Sequence, residues 1–420
     1  MGLKLAHNKN AAGLRALRME RCESVTLPML QHIGVPCLPR VKRGDYVLAG
    51  QVVGDTQAPL AAPVHASVSG AVEKLVSVRL PQGGETQAVV IRSDGEMNRI
   101  ETGPPQVNSL EDFLGAVRAS GLVGLGGAGF PAHAKLRSAA GKADVLLVNA
   151  AACEPYMAAD LRELLDNGEN VADGIRHVCH WLSIREAVVG IESYHKEAIA
   201  HMGGLCEPWM RIGTLPGRYP TGAEKLLAHR LTGRIVPMGR LPLDAGVLVM
   251  NVSSLGFLGR YMRGGRPLTS RTITVDGGAA SKPANLRIPI GLSLRELCAF
   301  CEIEKPPAKI ILGGPMMGLA APDLDTPLDK RTGGVLLLDE KQAARKAQTA
   351  CIRCGACLFA CPMALQPFKI EKAAAARDAA ALEALYAGHC MECGCCAYAC
   401  PARRELVQAI RVGKAVLSNG

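Results

Sequence analysis

Cys351-Ile-Arg-Cys354-Gly-Ala-Cys357-Leu-Phe-Ala-Cys361-Pro362 recurs later in the chain as Cys390-Met-Glu-Cys393-Gly-Cys-Cys396-Ala-Tyr-Ala-Cys400-Pro401. Both copies read C-x-x-C-x-x-C-x-x-x-C-P, a spacing that turns three thiolates around one inorganic core. The fourth cysteine of each copy lies too far along to close its own core and is expected to serve the other. The spacing therefore predicts one [4Fe–4S] cluster on Cys351, Cys354, Cys357 and Cys400. The second is expected on Cys390, Cys393, Cys396 and Cys361. Structural zinc also uses C-x-x-C pairs, but it needs neither the further cysteines nor the prolines. Cys395 falls between two ligand positions and is not expected to bind. A chain with these runs moves single electrons.

The sequence has 420 residues and 16 cysteines, half of them in the two runs. The rest are scattered without the pattern of a disulfide framework, which places the chain in a reducing compartment. The first 18 residues alternate charged and apolar side chains, so no secretory leader is expected. No uninterrupted apolar run reaches bilayer-spanning length. The expected location is cytoplasmic, with any membrane contact made through a partner. Net charge is +10. The basic residues are dispersed and not interleaved with aromatics, which argues against nucleic acid and for an acidic electron carrier as partner. Aromatics are only 4% of the chain, so its core must rest on Ala, Val, Leu and Ile.

Ahead of the cysteines the pattern reads as a multidomain α/β protein. Residues 1–25 form an irregular lead-in with at most one short helix. From Val25 to Ile91, short β-like runs are punctuated by Pro36, Pro39, Gly44, Gly50 and Gly54. These runs suit a small β sandwich of the lipoyl-carrier kind, without a lysine at the hairpin tip to hold a prosthetic group. His32 and His65 sit in these segments and are expected to be structural. Leu110, Phe113, Leu114 and Val117 share one helical face. The buried run at 144–149, helices over 157–182 and a strand at 187–191 then predict a largely parallel sheet. A strand and hairpin at 272–277 and a helix Leu294 to Phe300, capped by Ser293, suggest a β-grasp-like module. An Ala-rich helix Glu340 to Thr349 should lead to the cluster domain, and another, Ile370 to Tyr386, should separate the two runs. Four units follow: 1–105, 106–262, 263–340 and 341–420.

Gly124-Leu-Gly126-Gly127-Ala-Gly129-Phe130-Pro131 precedes a helix, where glycines let backbone N–H groups approach a phosphate. It is neither the dinucleotide fingerprint nor a nucleotide-triphosphate loop, which ends in G-K-[ST]. Together with Lys135 this loop resembles the flavin loop of the NADH-oxidising subunit of respiratory complex I. Three later stretches resemble that subunit in the same order: Asn149-Ala-Ala-Ala-Cys-Glu-Pro-Tyr156, Tyr219-Pro-Thr-Gly-Ala-Glu-Lys225 and Asn251-Val-Ser-Ser-Leu255. Leu30-Gln-His-Ile-Gly-Val-Pro36, Pro63-Val-His-Ala-Ser-Val-Ser-Gly70 and Gly313-Gly-Pro-Met-Met-Gly318 make the resemblance closer still to the RnfC family of the Rnf ferredoxin:NAD+ oxidoreductase complex. It extends from about residue 25 to the end.

The resemblance implies four units: an N-terminal barrel-sandwich hybrid, a flavin-binding α/β domain, a β-grasp-like module and a two-cluster ferredoxin-like domain. It implies FMN and NAD(H) beside the two [4Fe–4S] clusters. Gly124, Gly126, Gly127 and Gly129 would cradle FMN. Lys135, Asn149, Gly222, Glu224 and Asn251 would complete its pocket. Phe130 and Glu154 would face the nicotinamide nucleotide. From the residues alone, Asn149 and Asn251 read as turn or strand-end side chains, and Lys135 and Glu224 as solvated helix positions. Cys153 reads as a small buried hydrophobe or a thiol near the flavin. Where the family carries an acid before Cys153, this chain has Ala152, which removes an acceptor beside the cofactor. Expected partners are ferredoxin or flavodoxin and the other subunits of a membrane complex. A second reading is an electron-relay or docking protein without its own NADH activity, akin to the cobalamin reductases of bacterial microcompartments.

Overall fold

A computed structural model describes residues 2–19, 21–345 and 347–418. Of the segments read above, Met1, Glu20 and Lys346 lie outside the described residues. The run Val145–Asn149 is apolar at nearly every position because its strand is buried on both faces. It lies inside a four-stranded sheet ordered Met210–Leu215, Glu186–Glu192, Val145–Asn149, Val247–Asn251, in which every pair is parallel. Alternate residues feed two cores. Leu146, Val148, Val189 and Leu248 face the helices Ala159–Leu182 and Val252–Gly264. Val145, Leu147, Val188 and Val249 face Leu227 and Ala228 of the helix Glu224–Thr232. The register sets Asn149 beside Asn251 and Gly190. Both asparagines therefore end at the carboxyl edge of the strands, where open α/β sheets bind ligands.

Before this layer, Ser24–Pro28, Glu85–Ser93, Gly70–Arg79 and Tyr46–Val47 form an antiparallel sheet, and three short strands form a second. Their inward valines and leucines join the same continuous core as the helical face of the parallel sheet. After it comes a six-stranded mixed sheet. Its order is Leu17–Arg18, Ala284–Pro289, Ser270–Asp276, Gly334–Leu338, Lys309–Leu312, Leu319–Ala320. The helix Leu294–Phe300 covers it, and the Ser293 hydroxyl accepts from the Glu296 N–H at 3.1 Å, as its sequence position predicts. The C-terminal unit is helical, with Ile370, Leu382, Leu406 and Ile410 packed among the cysteines.

Three expectations are corrected. The lead-in shows no helix among its described residues. Leu17–Arg18 adds a parallel strand to Ala284–Pro289, and Leu3 bridges to Tyr219. Its hydrogen-bond partners lie far along the chain, out of reach of local pattern. The helix expected over Glu340 to Thr349 spans only Glu340–Ala343. Asp339 starts it by accepting from the Gln342 N–H at 2.7 Å. Residues 347–350 are exposed and so have no packed face to sustain a helix. The helix expected over Ile370 to Tyr386 is two, Pro367–Ala375 and Ala379–Ala384. The break is at Arg377, at φ 52°, and Asp378 begins the second helix by accepting from the Ala381 N–H at 3.0 Å.

Candidate functional site

The glycine loop closes on itself. Gly124 N–H donates to Phe130 O at 2.8 Å, and Gly129 N–H donates to Gly124 O at 3.1 Å. Its Leu125 N–H donates to the Ser254 hydroxyl at 2.9 Å, which ties the loop to the helix begun by Asn251. The loop forms part of the wall of a cavity of about 790 Å³ at the carboxyl edge of the parallel sheet. That volume lies within the usual range for small-molecule sites. Gly124, Gly126, Gly127, Phe130, Lys135, Asn149, Glu154, Gly222, Glu224 and Asn251 all line it. Gly129 does not. At φ 71°, a Cβ there would sit 2.7 Å from Arg331 Cδ, so Gly129 shapes the turn behind the wall. At Gly126 a Cβ would come within 3.3 Å of Asn251, and at Gly222 within 3.1 Å of Ala151. Both glycines hold open space that any side chain would fill.

The two asparagines are anchored before any ligand arrives. Asn149 Nδ2 donates to Gly222 O at 2.9 Å, and its Oδ1 accepts from Ala151 N–H at 3.2 Å. Asn251 Oδ1 caps its helix by accepting from Ser253 N–H at 3.0 Å and Ser254 N–H at 3.3 Å. Its Nδ2 donates to Asp160 Oδ2 at 2.8 Å. Lys135 and Glu224 pair across the rim at 3.0 Å while remaining partly exposed. A glycine floor, a rim cation and paired amides suit a phosphorylated isoalloxazine, so the residues present fit FMN.

Glu154 and Cys153 stand on the turn that follows the strand Val145–Asn149. The Glu154 carboxylate accepts from Met316 N–H at 3.1 Å and Met317 N–H at 3.0 Å, which docks it on the Gly313–Gly318 loop. Burial raises its pKa to about 7, against the pull of those two N–H groups. Burial likewise pushes the Cys153 thiol up to about 12, so this thiol stays protonated and unreactive at neutral pH. Ala152 also lines the cavity, where it leaves a methyl group.

Cys361 from the first run and Cys390, Cys393 and Cys396 from the second line one small cavity. Cys395 borders it too, fully buried and packed with Tyr219 and Leu5. Among the described residues, no three such donors gather around a single-ion position. Cys357 is buried and Cys400 half-buried, whereas Cys351 and Cys354 are exposed. Cys393 and Met391 line both this small cavity and the large one. Tyr219, 2% exposed, donates its hydroxyl to Cys393 O at 2.7 Å. The second cysteine run thus abuts the glycine-loop cavity, and the first run faces solvent.

Pattern reading missed Asp160, Arg271, Asp329, Arg331 and Met391, all of which line the large cavity. Arg271 is buried and holds Leu125 O at 2.7 Å from a strand distant in sequence. Only Asp160, lying just past the Asn149–Tyr156 stretch, carried a local signal.

Family models match residues 1–96 as an RnfC barrel sandwich hybrid domain, 117–258 as a Nuo51 FMN-binding domain and 350–403 as a 4Fe-4S dicluster domain. The RnfC subunit of the proton-translocating ferredoxin:NAD(+) oxidoreductase complex of Clostridium ljungdahlii is 40% identical over 82% of this chain and 77% of its own. Its counterpart in the Na(+)-translocating complex of Acetobacterium woodii is 39% identical over 93% of this chain and 90% of its own. The corresponding subunit of the ion-translocating oxidoreductase complex of Pseudomonas aeruginosa is 39% identical, with this chain spanning 49% of its length. Among solved structures, NAD+-reducing [NiFe]-hydrogenase in its H2-reduced state matches 74% of this chain at TM-score 0.52 and 20% identity. This chain spans 63% of that one, less than two thirds, and the match speaks to fold alone.

Proposed function

The chain belongs to the family of RnfC subunits, and we propose that it moves electrons between NAD(H), FMN and two [4Fe–4S] clusters as an oxidoreductase subunit. The observation that carries this reading is the shared wall at Cys393 and Met391, where the second cysteine run meets the glycine-loop cavity. A flavin bound there supplies the exchange between paired and single electrons. The protein's own part is placement. The glycine loop and the anchored asparagines shape the flavin cavity, Lys135 offers a cation to a phosphate, and Tyr219 ties the cluster unit to the cavity.

The first cysteine run forms the outward face. Phe359 is 82% exposed and Ile352 66%, beside exposed Cys351, Cys354 and Arg353. An apolar, basic rim of this kind suits an acidic electron carrier such as ferredoxin or a neighbouring subunit. No helix among the described residues is long and apolar enough to cross a membrane. Membrane association would therefore run through partner subunits. The relatives reported above lend the microcompartment reading no support. We read the four units as 1–105, 106–262, 263–340 and 341–420. The strand order around Ser270–Asp276 and Gly334–Leu338 supports a β-grasp-like third unit.

Anaerobically prepared protein with reconstituted clusters tests the reading. It should release FMN on denaturation, contain iron and sulfide, and show cluster EPR signals on NADH addition. Colourless protein, or flavin that NADH leaves oxidised, would refute it.

A further inference from the structure

The lead-in crosses the cavity wall as a strap. Leu3 exchanges backbone hydrogen bonds with Tyr219 at 2.8 and 2.9 Å, and Leu5 is buried against Tyr219 and Cys393. His7 O accepts from Tyr156 N–H at 2.8 Å. Asn10 Nδ2 donates to Asp276 Oδ1 at 2.9 Å, and Ala11 O accepts from Asn285 Nδ2 at 2.7 Å. Lys9 is central to this crossing. Its ammonium donates to Glu154 O at 3.0 Å and to Met157 O, so it grips both ends of the turn that carries Glu154. Glu192, Glu154 and Asp160 act on Lys9 as opposite charges, and Lys9 in turn acts on Asp276. Glu192 is 1% exposed, and neither of its carboxylate oxygens has a hydrogen-bond partner. The strap thus delivers one cation into an acidic wall, two of whose acids, Glu154 and Asp160, line the cavity.

We propose that Lys9 is a positioning residue of the nucleotide site: it fixes the Glu154–Met157 turn and offsets the acids behind it, so that the cavity accepts an anionic dinucleotide. The proposal rests on the function given above and deepens it. Without Lys9, the turn loses both anchors and the cavity gains uncompensated negative charge, which opposes a diphosphate. Lys9 does not touch the reacting atoms, so its loss should act on affinity more than on turnover.

The test compares Lys9→Met and Lys9→Arg with wild type, each as the cluster- and flavin-loaded protein. Hydrogen exchange without nucleotide should quicken in peptides covering residues 153–158 of Lys9→Met and stay unchanged in the parallel strands. The KM for NADH should rise about tenfold or more, the loss expected when a charged hydrogen bond is removed, with kcat within about threefold. Lys9→Arg should restore most of both. Should Lys9→Met fail to fold, Asn10→Ala loosens the same strap and should quicken exchange at the same peptides to a smaller extent. Unchanged exchange at 153–158 in the folded variant, or an unchanged KM, would overturn the proposal. Wild-type protein inert to NADH would instead overturn the proposed function, while the exchange result would still decide the role of Lys9.

Discussion

Glu154→Gln probes the electrostatics of the cavity wall. Burial raises the carboxyl from its ordinary 4.5 to about 7, in spite of the N–H groups of Met316 and Met317. At about 1.4 kcal/mol per pH unit, that difference is about 3 kcal/mol of preference for the neutral form. Below pH 4.5 the group is protonated in both folded and unfolded chains and costs nothing. Between 4.5 and about 7 the unfolded chain releases its proton while the folded chain keeps it, so stability falls as pH rises. Above about 7 the full cost is in place. Gln carries no charge and should be free of it. The stability gained by Glu154→Gln should therefore grow from near zero at pH 4.5 to about 3 kcal/mol at pH 8. Pulse proteolysis across this pH range measures the difference between variant and wild type. Infrared difference spectra should show a carboxyl C=O band that titrates near 7 and is missing from the variant. A gain that stays flat with pH, or one confined to acid, would refute the reasoning.

The remaining predictions concern the glycine loop, the rim and the cysteines. Gly129→Ala places a Cβ at positive φ, 2.7 Å from Arg331 Cδ; it should destabilise the fold by about 1–2 kcal/mol or more, read by denaturant midpoint. Gly126→Ala, whose Cβ presses on Asn251 at 3.3 Å, should lower the retained flavin per chain while circular dichroism stays unchanged. The partly exposed Lys135–Glu224 pair is worth at most about 1 kcal/mol. Lys135→Ala should therefore leave the melting temperature nearly unchanged while weakening FMN binding by about tenfold or more, measured by flavin fluorescence. Cys395→Ser should keep its iron, whereas Cys361→Ser should lose about half of it by colorimetric assay, because the second nest draws on that residue.

Much of this protein is legible without coordinates where chemistry is local. Cysteine spacing encodes a ligand nest because the thiols lie within a few residues of one another along the backbone. The apolar run Val145–Val148 encodes a strand buried on both faces, since only a covered parallel strand tolerates it. The glycine loop, read with Asn149, Gly222 and Asn251, marked most of a cavity wall that the fold closes. Local reading fails where partners are remote. The helix expected over Ile370 to Tyr386 breaks at Arg377, although Asp378 carried a usable capping signal. The strap from Leu3 to Leu17 shows no pattern, because each of its bonds ends on residues far along the chain. Residue types at short spacings were enough to specify the cofactor chemistry, since each ligand nest is written within one short stretch of chain. Which cysteine nest meets the cavity, where Lys9 sits and what charge Glu154 carries emerge only once the chain is folded, because contacts between distant segments and burial set all three.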